Sequence, residues 1–263
     1  LGKLAEYVRE ADAAVNSLTV DSTGDTQDQY GNWNNGGPKT YTLTAGDVSI
    51  DLSAKNLGPK DVALLTAWMQ RPEVTASIAA INISQSKIGV EGGQAIVEAL
   101  KTTTLESIVI GNDLTLQLKG ELESDSFDAS GQSIDPGYAM IMAWWLTTPV
   151  TASINSLTVD STGDTKDERG NWNNGGPKTY TLTAGETSID LSQKNLGSAD
   201  VTLLAAWVQR PNVIASVASI SLSGNMISGS KNVGESYDEY DLDLSGIIAL
   251  GEAAAISKTL TSI

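Results

Sequence analysis

The sequence predicts an α/β chain built as a solenoid, with a parallel β-sheet on one face and mainly helices on the other. Three observations predict it. The first is a duplication: residues 16–74 and 155–213 align at an offset of 139 (155 − 16), with 12 differences in 59 positions. The second is a series of short aliphatic strands at near-constant spacing. Leu18 to Ile50 is 32 residues, Ile50 to Ile81 is 31 and Ile81 to Ile108 is 27. The third is a helical apolar pattern in most of the intervals between strands.

The elements follow in order. The opening LGKLAEYVREADAAV has neither an initiator Met nor a leader, and reads as the end of a helix in a longer array. VNSLTV sets Val15, Leu18 and Val20 as a strand. The next stretch, DSTGDTQDQYGNWNNGGPKTYTLTAGDV, has no helical pattern. Its KTYTLT alternates with period two, so this repeat is expected to have an extended back in place of a helix. SIDLSAKNL supplies Ile50, Leu52 and Leu57. GPKDVALLTAWMQRPEV then carries Val62, Leu65, Trp68 and Met69 at helical spacing, between a Gly58-Pro59 start and a Pro72 stop.

IAAINISQSKI repeats the strand with Ile78, Ile81, Ile83 and Ile88, and GVEGGQAIVEALKTT repeats the helix with Ile96, Val97 and Leu100. LESIVI is a further strand, followed by the insert GNDLTLQLKGELESDSFDASGQSI. DPGYAMIMAWWLTTPV is helical, with Met140, Ile141, Trp144 and Trp145. The second copy opens at INSLTV. It ends in VASISLSGNMI, the insert SGSKNVGESYDEYDLDLSG, the helical SGIIALGEAAAISKT and a last strand at LTSI. Residues 1–154 are thus expected to be one long unit and 155–263 a second, incomplete one, in one continuous solenoid.

In VASISLSGNMI, residues Val217, Ile220, Leu222, Asn225 and Ile227 fit L-x-x-L-x-L-x-x-N-x-L. Ser86 and Lys55 stand at the Asn position in two weaker repeats. With segments such as KIGVEGGQAIVEALKTTTLESI, this chain resembles leucine-rich repeat proteins of the ribonuclease-inhibitor type. The resemblance implies a parallel sheet lining one face, and often a partner bound on that face. Here the face would carry Ser17, Thr19, Ser49, Asp51, Asn82 and similar small polar residues. Trp, Tyr and Arg, the usual anchors of an interface, are missing from it, so contacts are expected through inserts and solenoid ends.

The net charge is −16, which repels nucleic-acid phosphates and anionic membranes. With no Cys and no His, disulfides, thiol nucleophiles and His-based triads are excluded. An enzyme would need a carboxylate pair or a Ser–Lys arrangement, and the carboxylates follow no such motif. The chain is therefore expected not to be an enzyme.

Three groups of residues are candidate sites. In DSTGDTQD and DSTGDTKD, Asp21, Asp25 and Asp28, with their counterparts Asp160, Asp164 and Asp167, could supply oxygens to calcium. Acidic Asx-rich turns arise without metal, so both readings are open. Trp33 and Trp172 lie in Gly/Asn turns near Tyr30 and Arg169, and could stack on a sugar or anchor a protein. Alternatively they fold back on the solenoid edge. The inserts hold Glu121, Glu123, Asp125 and Asp128, and Glu235, Asp238, Glu239, Asp241 and Asp243. They could gather cations or face a basic partner, or simply be solvated.

The function expected is a structural or scaffold segment of a longer tandem-repeat protein. Its partners would be protein, either further copies of itself or a longer parent chain. The alternative is a recognition module that binds protein or glycan through the Trp33 and Trp172 turns, with or without calcium. Acidity, Ser/Thr/Asn richness and the sequon Asn82-Ile83-Ser84 point to an extracellular or cell-surface setting.

Overall fold

The computed structural model describes residues 1–10, 15–28, 30–164, 166, 171–229, 231–232, 238–239 and 242–263. It is a mixed α/β chain of helices and several small sheets, in two compact units, Leu1–Gly120 and Glu121–Ile263.

The first unit runs α1 (Gly2–Glu10), β1 (Ser17–Asp21), β2 (Thr40–Thr44), β3 (Ser49–Asp51), α2 (Pro59–Met69), α3 (Pro72–Thr75), β4 (Ala80–Asn82), α4 (Gly89–Leu100), β5 (Ser107–Ile110) and β6 (Leu114–Gln117). β3, β4 and β5 pair in parallel, with Ile50, Ile81 and Ile108 in one register row. None of the three is more than 3% exposed. Each buried aliphatic side chain of this kind contributes about 1.5–3 kcal/mol. Behind the strands α2 packs between α1 and α4, burying Val62, Leu65, Trp68 and Met69.

The second unit runs β7 (Ser126–Ala129), α5 (Pro136–Leu146), β8 (Ser156–Asp160), β9 (Thr179–Thr183), β10 (Ser188–Asp190), α6 (Ser198–Val208), α7 (Pro211–Ile214), β11 (Ser219–Ser221), β12 (Lys231–Asn232), β13 (Asp238–Glu239) and α8 (Ser245–Ile256). β7 and β8 are parallel, as are β10 and β11. α6 packs between α5 and α8. Ser262 bridges Ser219 in parallel, continuing the row beyond β11.

Local chemistry sets the helix ends. Pro59 and Pro136 open α2 and α5, where the missing N–H costs nothing. The Asp135 carboxylate caps α5 by accepting from the Tyr138 N–H at 2.9 Å. Arg71-Pro72 and Arg210-Pro211 stop α2 and α6, because a residue before proline is driven out of the helical region.

Four details differ from expectation. KTYTLT is a strand, with Tyr41 and Leu43 buried, but it does not form a separate back. It returns antiparallel beside β1, pairing Leu18 with Leu43 and Val20 with Tyr41, because the turn between them reverses the chain. β9 does the same beside β8, and β6, inside the first insert, beside β5, so antiparallel edges accompany the parallel pairs. Trp68, Trp145 and Trp207 are fully buried, whereas Trp144 is only partly so.

The fourth concerns the turn ties. Asn225 acts as expected: its Oδ1 accepts from the Lys194 and Leu196 N–H groups, and its Nδ2 donates to the Leu191 and Leu222 carbonyls. Ser86 Oγ accepts from the Leu57 N–H. In the repeat where Lys55 stands at this place in the sequence pattern, however, the tie comes from Asn56. Its Nδ2 donates to the Asn35 and Gly37 carbonyls at 3.0 and 2.7 Å. Asn56 has φ 53°, a left-handed conformation that Asn tolerates better than Lys.

Candidate functional site

The site follows from how the chain turns between β1 and β2, and again between β8 and β9. Asp25 sits at the centre of the first turn. Its carboxylate accepts from the N–H groups of Thr26 (2.8 Å), Asn35 (3.0 Å to both oxygens) and Gly37 (2.7 Å), and from Asn35 Nδ2 (3.1 Å). Asp28 accepts from the N–H groups of Tyr30 and Asn32 and from Asn32 Nδ2. The second copy repeats the arrangement: Asp164 accepts from the Asn174 and Gly176 N–H groups and from Asn174 Nδ2. Asp21 and Asp160 lie at strand ends, each accepting from a threonine hydroxyl, Thr40 or Thr179.

Hydrogen-bond donors thus crowd the carboxylates of Asp25, Asp28 and Asp164, where a cation would have to compete with N–H protons for the same lone pairs. Among the described residues no group of three or more acidic side chains could hold a metal ion. Asp167 and Arg169 lie outside the described residues.

Burial pushes the Asp25 pKa up, but the donors from Gly37, Asn35 and Thr26 outweigh it and leave it lowered. Asp28 is lowered first by the Asn32 side chain, then by its N–H. A carboxyl whose pKa falls on folding contributes stability above its unfolded value, here 3.8, and loses it as pH falls through the folded value. Asp25→Asn is therefore expected to lower the melting temperature at neutral pH, with the gap to wild type closing on acidification. Thermal melts across a pH series test this, and a gap independent of pH would refute it.

A hub that no local motif marks lies beneath the turn. Asp61, on the first turn of α2, is 1% exposed. Its carboxylate accepts from the Thr23 N–H and hydroxyl (both 2.8 Å), the Gly58 N–H (2.9 Å) and the Tyr41 hydroxyl (3.0 Å). Asp200 takes the same bonds from Thr162, Gly197 and Tyr180. Burial raises the Asp200 pKa, and its donors pull the other way without overcoming it. Burial, then the charge of the facing aspartate, holds both tyrosine hydroxyls above their ordinary pKa, so they remain donors.

Backbone joins the two segments directly. A Cβ at Gly24 would lie 2.3 Å from the Leu57 carbonyl carbon and oxygen, and one at Gly163 would lie 2.3 Å from the Leu196 carbonyl carbon. The available signal was a glycine and an aspartate held in both copies, in STGD and in GPKD and GSAD, but nothing in one dimension says that they meet.

Trp33 and Trp172 are 44% and 42% exposed. Each indole lies against a glycine with left-handed backbone, Gly37 or Gly176, where a Cβ would approach the ring to 3.2 or 3.1 Å. Lys166 sits 4.9 Å over the Trp172 ring, and Gln27 takes its place beside Trp33. Each Trp thus packs against a glycine while staying partly exposed, and Tyr30 is 80% exposed.

In the first insert Glu121, Glu123, Asp125 and Asp128 are exposed. Asp128 accepts from the Ser130 N–H, and Asp243 from Ser245. Asp238 and Glu239 pair through β13, while Glu235 and Asp241 lie outside the described residues. Asn82 of the sequon lies on β4 with its Oδ1 accepting from the Ser84 N–H, and Ser84 is buried. Among the described residues no helix is long and apolar enough to cross a membrane.

The folds and turns together define a mixed α/β chain with a duplicated, internally bonded turn. No known protein-family model matches the chain, and no curated protein matches it.

Proposed function

We propose that this chain is a non-enzymatic structural segment, a solenoid of leucine-rich-repeat type. It makes protein contacts through its inserts and ends, with further copies of itself or with a longer parent chain. The in-register isoleucines of β3, β4 and β5 and the Asn225 tie support the solenoid reading. Duplicated turns bonded to their own backbone support a role as spacing elements.

The observation that carries the proposal is α8. Gly246, Leu250 and Ala253 form the buried stripe of this helix, which packs on α6. Ile248 falls opposite that stripe and is 60% exposed. Ile247 and Ile256, with Leu242 and Leu244 just before the helix, are exposed too. Within their own units α2 and α6 are each covered by a helix on both sides, and an exposed apolar group of this size marks a contact surface.

Sedimentation velocity over a wide concentration range tests it. Wild type is expected to form larger species as concentration rises, and the double variant I248E/I256E to remain monomeric. Wild-type monomer at every concentration would overturn self-association. Weight would then pass to the second reading, recognition of protein or glycan, which the half-exposed Trp33 and Trp172 favour.

A further inference from the structure

Arg71 and Arg210 stand at equivalent places in the two copies. Each is 6% exposed and stacks its guanidinium 4.6 Å over a buried indole, Trp68 or Trp207. Their counter-charges differ. Arg71 donates from Nη1 to the Val15 carbonyl at 2.8 Å and forms an ion pair through Nη2 with Glu73. At the position of Glu73 the second copy has Asn212, whose Nδ2 donates to Asn155 Oδ1 instead. Arg210 donates from Nη2 to the Thr151 carbonyl at 2.7 Å, but its buried Nη1 meets no acceptor among the described residues. Nor, among those residues, does it form a salt bridge. A buried cation with neither counter-ion nor full hydrogen bonding is costly.

Arg210 also lines a cavity of about 330 Å³, with Thr147, Thr148 and Gln209 as further polar groups and Pro149 and Ala206 among the apolar ones. That volume is at the lower end for small-molecule sites. One guanidinium balances one negative charge, and a chain of net charge −16 disfavours multiply charged anions. A guanidinium edge matches the two oxygens of a carboxylate. We propose that this cavity binds a small aliphatic monocarboxylate, its carboxylate taking the role at Arg210 that Glu73 has at Arg71 and its tail lying along Pro149 and Ala206.

The test uses sodium butyrate as probe, with butyramide as its neutral counterpart and sodium chloride as the ionic-strength control. Wild type is expected to gain melting temperature saturably with butyrate, and isothermal titration to give a matching affinity. Butyramide and chloride are expected to do neither. Asn212→Glu restores the counter-ion seen in the first copy. That variant is expected to melt higher than wild type without ligand, and to bind butyrate at least about tenfold more weakly. Equal responses to butyrate and butyramide, no response beyond that to chloride, or undiminished binding by N212E would each overturn the proposal.

Discussion

Replacing Asp200 with alanine is expected to destabilise the second unit by about 3–5 kcal/mol, with Asp61→Ala costing the first unit a similar amount. The reason is what remains behind. In wild type the Asp200 carboxylate receives the Thr162 N–H and hydroxyl, the Gly197 N–H and the Tyr180 hydroxyl. Asp200 is 1% exposed, so water does not replace the missing acceptor without opening the structure. Each stranded buried donor costs about 1–3 kcal/mol, reduced where a hydroxyl can rotate to another partner. Tyr180→Phe removes a donor together with its need, and is expected to cost only about 1 kcal/mol. Urea unfolding of the three variants distinguishes these values. A loss below that of Tyr180→Phe for Asp200→Ala would show that the carboxylate is not the hub of the turn.

The second large effect is expected at Gly24 and Gly163. In either case a single methyl group would sit 2.3 Å from backbone of the facing turn, well inside contact distance. Backbone cannot rotate aside as a side chain can, so the two segments must separate. Separation would break the Gly24 N–H bond to the Asn56 carbonyl, 2.9 Å long, and pull Thr23 from Asp61. We expect Gly24→Ala and Gly163→Ala each to cost about 3 kcal/mol or more, the upper end for overpacking. Gly251 on α8 is the control: a Cβ there meets nothing within 4 Å. Gly251→Ala is expected to be neutral or to stabilise by up to about 1 kcal/mol, since alanine is the better helix former. Equal losses at Gly24 and Gly251 would rule out the close approach as the cause.

These two effects mark where the sequence was legible and where it was not. Strands and helices announce themselves by local period, and Ile50, Ile81, Ile108, Val62, Leu65 and Trp68 all have the burial their spacing predicted. Asn225 could be read because its pattern carries its own geometry. The partners of Asp61 are 20 to 38 residues away in Tyr41 and Thr23, and no local pattern encodes such a meeting. The aspartates of DSTGDTQD and DSTGDTKD looked like oxygen donors to a cation. Whether such oxygens face an ion or an N–H depends on how Asn35 and Gly37 return to them, which composition does not express. Period two identified β2 as a strand, yet it does not distinguish a hairpin from a separate layer.

The NNGG segment that the two turns share has a kinetic consequence. During folding, Asp25 meets chemically identical donors at Gly37 and at Gly176, because both stand in the same NNGG context. The correct partner is 12 residues away and the wrong one 151 (176 − 25). Loop closure scaling as the logarithm of length disfavours the longer loop by about 2 kcal/mol. For Thr23 the choice lies between Asp61, 38 residues on, and Asp200, 177 residues on (200 − 23), and the same scaling gives only about 1.4 kcal/mol. Chain proximity thus protects the turns against cross-copy mispairing better than it protects the hub, and a misfolded exchange between the copies would start at Asp61 and Asp200.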